Sequence, residues 1–326
     1  MSINLSTLHT TALPPLRIGT RGSPLALFQA RAFAALIQRS CPLLRKVIAF
    51  EEQIVSTSGD RIQTRRLADL GGKGLFSKEI HEALLDQRID FGVHSLKDLE
   101  TQLPSGIVLG CVLRREDARD VLITGAACGP SDPADPWATL QKGAIVGTAS
   151  LRRQAQLLHH RPDLNVRLIR GNVETRLALV TEGQFDATLL AMAGLRRLGL
   201  MNRPLVALDP KVMVPAAGQG IIGITVRTDD TELRELLSPL DDEEARTAAT
   251  AERALLAELD GSCRAPIGSH AELLPGSQLG LTGLVARPCG TFLIKQTVQG
   301  PAARAAQLGA ELGRNLRNAC PADILG

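Results

Sequence analysis

Between residue 16 and about residue 225 the chain alternates short apolar runs with stretches of helical periodicity. That alternation restricts the possible folds more than any other feature. Residues 16–20 read as a short buried strand. Pro24 then opens a helix, since proline suits a first helical turn where its missing N–H is not needed. Leu25, Phe28, Ala32, Phe33 and Leu36 continue it with helical spacing. Further strands are predicted over 47–56, 90–95 and 107–113. A helix ending near Arg88 puts Phe76, Ile80, Ala83 and Leu84 on one face. A second set of units begins near Arg119, with strands over 144–148, 166–170 and 187–191 and helices over 151–160 and 173–181. Strands separated by helices pair in parallel, so the fold class is predicted to be α/β. After Asp241 the texture changes to a charged helix over 243–258, antiparallel strands over 267–271 and 279–286, and a closing helix over 302–318. That reads as a small α+β unit. A cleft between two α/β halves of similar size is the usual ligand site.

Four segments place polar residues where strands end. Arg21 and Ser23 stand between the first strand and the first helix, where free N–H groups attract anions. His94, Ser95, Lys97 and Asp98 close an apolar strand. Thr148, Ala149, Ser150, Arg152 and Arg153 lead from a strand into a helix. Two arginines at the positive end of a helix dipole are locally unfavourable, and they make sense if an anion docks there. Arg170, Gly171, Asn172 and Arg176 repeat the geometry. One exposed arginine signifies little; four such junctions point to a cleft for a polycarboxylate or polyphosphate.

Composition narrows the ligand. The chain has 7 lysines and 30 arginines. Compositional bias accounts for most of that excess, so only the placement of individual arginines counts. Arginine grips carboxylates bidentately where lysine cannot. Aromatics are 2% and the net charge is +3, which argues against base-stacking platforms and against a protein held on a phosphate backbone. No nucleic-acid partner is expected. No run approaches the ~20 apolar residues of a membrane span, so no membrane partner is expected either. The first sixteen residues lack the charged start and apolar core of a secretory signal. The six cysteines are scattered without a CxxC and read as reduced thiols. A cytoplasmic location is expected.

Nucleotide and metal motifs fail on inspection. Gly71-Gly72-Lys73-Gly74 lacks the Ser or Thr that holds magnesium in a phosphate loop. His81-Glu82 lacks the second histidine of a zincin helix, and the adjacent His159 and His160 cannot share a helical face. No metal site is expected.

The four junction segments resemble the hydroxymethylbilane synthase (porphobilinogen deaminase) family. So do Gly71-Gly72-Lys73-Gly74-Leu75-Phe76, Ala193-Gly194-Leu195-Arg196-Arg197-Leu198-Gly199, Pro215-Ala216-Ala217-Gly218-Gln219-Gly220 and Gly261-Ser262-Cys263-Arg264-Ala265-Pro266-Ile267-Gly268. The blocks occur in order from about Leu16 to the last helix. The resemblance implies two α/β domains like those of periplasmic binding proteins, joined by two crossing connections, with a small α+β domain after them. On that basis the first domain comprises 16–113 and 216–240, the second 114–215 and the third 241–326. It also implies a monomer that joins four porphobilinogen molecules head to tail on a covalent dipyrromethane primer, releases ammonia each time and finally hydrolyses off the linear chain. Carried over, the cofactor is a thioether on Cys263 and the catalytic carboxylate is Asp98. The residues for substrate and cofactor carboxylates are Arg21, Lys97, Arg152, Arg153, Arg170 and Arg176, supported by Arg197, Ser23, Ser95, Thr148 and Ser150.

The chemistry suits those residue types. Loss of ammonia from porphobilinogen leaves an electrophile, and attack by a pyrrole makes its ring nitrogen positive. A carboxylate beside that nitrogen stabilises the charge and accepts the proton. A thiolate is a suitable nucleophile for anchoring the first pyrrole. Two residues depart from the family pattern: Glu100 where proline is usual and Ala149 where serine is frequent. The competing reading is a non-catalytic polycarboxylate-binding protein of the same architecture, which leaves Asp98 and Cys263 without a purpose.

Overall fold

The protein is described by a computed structural model over residues 15–40, 50–61, 74–125, 128, 135–259 and 265–325. The first domain is built on a five-stranded sheet with the order β2-β1-β3-β10-β4. Its strands are β1 (Leu16–Thr20), β2 (Phe50–Ile54), β3 (Phe91–Ser95), β4 (Ile107–Val112) and β10 (Ile222–Arg227). Helix α1 (Pro24–Ser40) lays Ala26, Ala30, Phe33 and Ile37 against it, a stripe at helical spacing. Phe33 meets Phe91 edge-on at 5.2 Å. Burial of each large apolar side chain in this layer contributes about 1.5–3 kcal/mol.

The second domain repeats the plan with β5 (Asp120–Thr124), β6 (Ile145–Gly147), β7 (Asn165–Arg167), β8 (Ala187–Ala191) and β9 (Leu205–Ala207), in the order β7-β6-β8-β5-β9. Helices follow three of the strand ends that matter below. The turn α2 (Ser58–Arg61) lies beyond β2. Helix α3 (Lys78–Leu85) precedes β3, while α4 (Leu151–His160) follows β6 and α5 (Val173–Thr181) follows β7.

One expectation is corrected. The sheets are not wholly parallel: β10 runs antiparallel to β3 and β4, and β5 runs antiparallel to β8 and β9. Both are the strands first reached when the chain crosses between domains, so each enters its sheet from the opposite end. Their short apolar runs carry no period that distinguishes direction.

The third domain is a meander of β11 (Ile267–Leu274), β12 (Gln278–Ala286) and β13 (Leu293–Pro301) covered by two helices. They are α8 (Glu243–Glu258) and α9 (Ala305–Ala319), numbered after α6 (Met192–Arg197) and α7 (Thr231–Leu237). Asp242 caps α8 by accepting from Ala245 N–H at 2.9 Å, and Glu243 and Glu244 complement the dipole in its first turn. This helix serves two cores. Ala248, Ala251 and Leu255 pack with Leu308, Leu312 and Leu316 of α9. Ala245 and Ala249 pack with Leu96, Leu99, Val112 and Ile221 of the first domain. Among the described residues no helix is long and apolar enough to cross a membrane.

Candidate active site

A cleft of about 890 Å³ opens between the two α/β domains, with α8 and β11 at its floor. Each wall is a set of strand ends. Ser23 accepts from Ala26 N–H at 3.3 Å as α1 begins. Beside it the Arg21 guanidinium pairs with Asp60 and lies 4.0 Å over the Phe76 ring. On the next strand end, β3 stops at Ser95 because Leu96–Asp98 folds into a single 3₁₀ turn, held by Leu96 N–H on Ile221 O at 2.9 Å and Leu99 N–H on Leu96 O at 3.1 Å. Lys97 and Asp98 therefore do not alternate across a sheet, and both line the cleft. Lys97 Nζ donates to Gln219 Oε1 at 3.4 Å. No hydrogen bond or ion pair fixes the Asp98 carboxylate among the described residues, though it feels the charges of Lys97, Arg153 and Arg176.

The opposite wall is the second domain. Ser150 caps α4, and Asn172 caps α5 by accepting from Thr175 N–H at 2.8 Å. Gly171 allows that turn: its φ is +100°, and a Cβ there would come within 2.8 Å of Thr175. Arg176 Nε donates to Gly171 O at 3.0 Å. Arg170 and Arg176 face the cleft with Arg152 and Arg153.

The structure supplies an anion for Arg152 and Arg153 from the chain itself. Arg152 Nη1 donates to Asp120 Oδ2 at 2.6 Å, and Arg153 Nη2 donates to Asp120 Oδ1 at 2.8 Å. Arg152 also reaches Val214 O, and Arg153 reaches Leu189 O, both at 2.7 Å. Gln219 Nε2 completes the shell on Asp120 at 2.9 Å. Burial alone would raise the Asp120 carboxyl; the two arginines overcome it and hold the group far below the usual carboxylate range. An external anion is thus not needed to explain two arginines at the α4 N-terminus, although both still reach the cleft wall. Sequence reasoning missed Asp120 and Gln219. A lone acid opening an apolar strand gave a faint signal for Asp120, and Gln219 lay inside a recognised block without a role.

Six cationic side chains, Arg21, Lys97, Arg152, Arg153, Arg170 and Arg176, line the cleft against the acids Asp60, Asp98 and Glu174. The surplus strains the cations. Burial, then Arg153, pushes the Lys97 ammonium down to about 8, with Asp98 and Asp120 opposing. Burial, then Arg153 and Arg170, pushes Arg176 down to about 10.

Three expected site residues are not on the cleft wall. Thr148 is buried and its Oγ1 accepts from Ser150 N–H at 3.1 Å. Arg197 Nη2 donates to Gly220 O at 2.7 Å and so ties α6 to the returning crossover. Ser95 bonds Gln29 at 2.9 Å in a small recess of about 60 Å³ beside Asp98. His94 turns into the sheet, 2.9 Å from Thr225 Oγ1, where burial pushes it down to about 3 and keeps it neutral. Cys263 lies outside the described residues. The described chain on either side of it ends at Leu259, buried at the end of α8, and resumes at Ala265 on the cleft wall. Among the described residues no cluster of His, Cys, Asp and Glu could hold a metal ion.

Fold and cleft together define a protein with two α/β domains and a smaller third one, whose interdomain cleft is lined by more cations than acids. Comparison with known proteins gives the class its identity. The family model for porphobilinogen deaminase, dipyromethane cofactor binding domain, matches residues 16–235, and that for the porphobilinogen deaminase C-terminal domain matches 246–318. The porphobilinogen deaminase of Syntrophobacter fumaroxidans is 47% identical over 92% of this chain and 94% of its own length. Those of Paracoccus denitrificans and Nitrobacter winogradskyi are 45% and 48% identical over 95% and 92% of this chain and 96% and 92% of their own. The chain belongs to the porphobilinogen deaminase family.

Proposed function

We propose that this enzyme polymerises four porphobilinogen molecules head to tail, with release of ammonia, and hydrolyses the product off as linear hydroxymethylbilane. The observation that carries the reading is the placement of Asp98. It is a carboxylate without a hydrogen-bond partner among the described residues, facing a cleft lined by six cations.

Dipyrromethane fits this cleft. Two linked pyrroles bring four carboxylates, and the walls offer more cations than their own acids neutralise. Cys263 would hold it, from the segment between Leu259 and Ala265. When bound, the group supplies a fixed pyrrole whose free α-carbon is the first nucleophile. The residues of the chain do the rest. Arg152, Arg153, Arg170, Arg176, Arg21 and Lys97 bind acetate and propionate groups, with Ser23 and Ser150 adding hydroxyl donors at the helix starts. Thr148, Ser95 and Arg197 act behind them by holding the loops. Asp98 stabilises the positive pyrrole nitrogen and takes and returns its proton, in a site where preformed charge is worth more than in water. Of the two departures, Ala149 lines the cleft and offers no hydroxyl, whereas Glu100 turns away to accept from Ser77 Oγ at 2.7 Å. We further propose that the enzyme acts as a cytoplasmic monomer, which sedimentation of the purified protein checks.

The test is turnover. Purified protein given porphobilinogen should release ammonia and yield uroporphyrin. Asp98→Asn should melt like the parent yet lose about 100-fold or more in rate, as removal of an electrostatic stabiliser does. Normal turnover by Asp98→Asn would remove Asp98 from the chemistry.

A further inference from the structure

The loop that carries Asp98 is gripped from another domain. Arg253 lies on α8, one turn beyond Ala249, on the face that meets the first domain. Its guanidinium donates to three successive carbonyls of the Asp98 loop. Nη1 reaches Leu99 O at 3.2 Å, and Nη2 reaches Glu100 O at 2.5 Å and Thr101 O at 3.1 Å. These carbonyls lie outside any helix or strand, so their donors must come from elsewhere. A planar fork with five N–H groups can span three acceptors, which an ammonium point charge cannot.

Holding a guanidinium here is costly unless it does something specific. Burial pushes Arg253 down to about 10, and the Glu100 carboxylate opposes that shift while Arg246 adds to it. Among the described residues no carboxylate accepts a hydrogen bond from Arg253. Glu100 is engaged on the other side, where Ser77 Oγ donates to it at the start of α3. The loop is thus tied to the first domain by the Glu100 side chain and to the third by the Glu100 backbone.

The helix that supplies Arg253 is itself fixed. The neighbouring Glu252 is fully buried and accepts from Arg115 Nη1 and Gly218 N–H at 2.6 Å and from Ala271 N–H at 2.7 Å. Both crossovers and β11 therefore share one carboxylate on α8. Leu256, one turn further along, lines the cleft, and the chain then runs into 260–264.

We propose that Arg253 is a positioning residue for Asp98: from the helix of the third domain, it fixes where the catalytic carboxylate stands in the cleft. The assignment rests on Asp98 being the catalytic carboxylate. Arg253 touches only backbone, and its effect is on geometry.

Arg253→Met and Arg253→Lys, each purified as holoenzyme, separate this role from a merely structural one. Intact mass should show full cofactor in both. Amides over 97–102 should exchange faster in Arg253→Met than in the parent, with exchange elsewhere unchanged. Its kcat should fall by about 100-fold with KM little altered, the size of loss that a misplacement of about 1 Å produces. Arg253→Lys, which keeps the charge and one donor group, should recover part of that loss. Parental kcat in Arg253→Met overturns the assignment, and so does a rate loss matched by loss of cofactor mass. If Arg253→Met does not fold, Arg253→Lys decides alone: slower turnover with faster exchange at 97–102 supports it, and parental values for both overturn it. Normal turnover by Asp98→Asn would instead sink the reading of Asp98, so the two failures are told apart.

Discussion

Replacing Asp120 by asparagine tests whether the α4 arginines are built into the fold. The Asp120 side chain is fully buried, and its carboxylate accepts from Arg152, from two nitrogens of Arg153 and from Gln219. Asparagine keeps the shape and one acceptor oxygen. It removes the charge and turns an NH₂ toward one of the guanidiniums. Breaking a buried ion pair by removing one partner costs about 3–5 kcal/mol, because the other charge is left uncompensated. At roughly 2–4 °C per kcal/mol for chains of a few hundred residues, the lower figure is a fall of about 6–12 °C in melting temperature. The pH dependence gives a second reading. The folded-state acidity of Asp120 is strengthened, so its contribution is complete above the unfolded carboxylate value of about 3.9 and is lost as pH falls below it. The gap between parent and Asp120→Asn should be full at pH 7 and shrink in acid below about pH 4. Melts of both proteins at pH 7 and in acid provide the assay. A variant that melts within 2 °C of the parent at pH 7 (at most about 1 kcal/mol by the same conversion) would refute the claim that Arg152 and Arg153 depend on this carboxylate.

Three further outcomes are expected. The intact mass should exceed the sequence mass by two linked pyrroles and Cys263→Ala should lose the excess, while an unmodified Cys263 in an enzyme that turns over would overturn the attachment. Arg152→Leu should lower the melting temperature and impair cofactor assembly, because it removes one of the two guanidiniums that hold Asp120. Arg170→Leu should stall chain growth at a different stage, each lost charged hydrogen bond costing about 1.5–3 kcal/mol; identical intermediates by mass in the two variants would contradict that division. With the Lys97 ammonium held near 8, raising the pH through that value discharges it, so kcat/KM should fall above pH 8. Lys97→Arg should carry that fall to higher pH, and an unchanged profile would show that Lys97 does not titrate in this range.

The sequence made the helical elements legible where both a period and a cap were present. Helices α4 and α5 begin at the predicted residues because Ser150 and Asn172 cap them, and they end where they were expected to. Helix α8 was equally plain behind Asp242. What escaped was β5, β9 and β10 themselves, together with strand direction and pairing. β5 and β10 are short apolar runs whose antiparallel placement follows from the two crossovers, a property of the path of the chain and not of any local pattern. β13 was missed because it is an edge strand of alternating exposure with polar residues in it. The turn at Leu96–Asp98 escaped for a related reason: it is held by Ile221 O, just before β10 and over a hundred residues away.

The site divides along the same line. Residue type and position at strand ends were enough to gather Arg21, Ser23, Lys97, Asp98, Ser150, Arg152, Arg153, Arg170 and Arg176 around one cleft. They could not separate arginines that complete the fold from arginines that await a ligand, because that depends on a carboxylate supplied from elsewhere in the chain. Asp120 supplies one to Arg152 and Arg153. Arg176 and Lys97 stand in a different position. Both are weakened as cations by burial and by Arg153 beside them, and Asp98 offsets only part of that. Each incoming pyrrole carries two carboxylates that relieve the like-charge repulsion as they displace water. On the proposed function, binding of a carboxylated chain would thus relieve strain that already exists among the cleft's own cations. Relief is greatest for the first groups to arrive and declines as the surplus is neutralised.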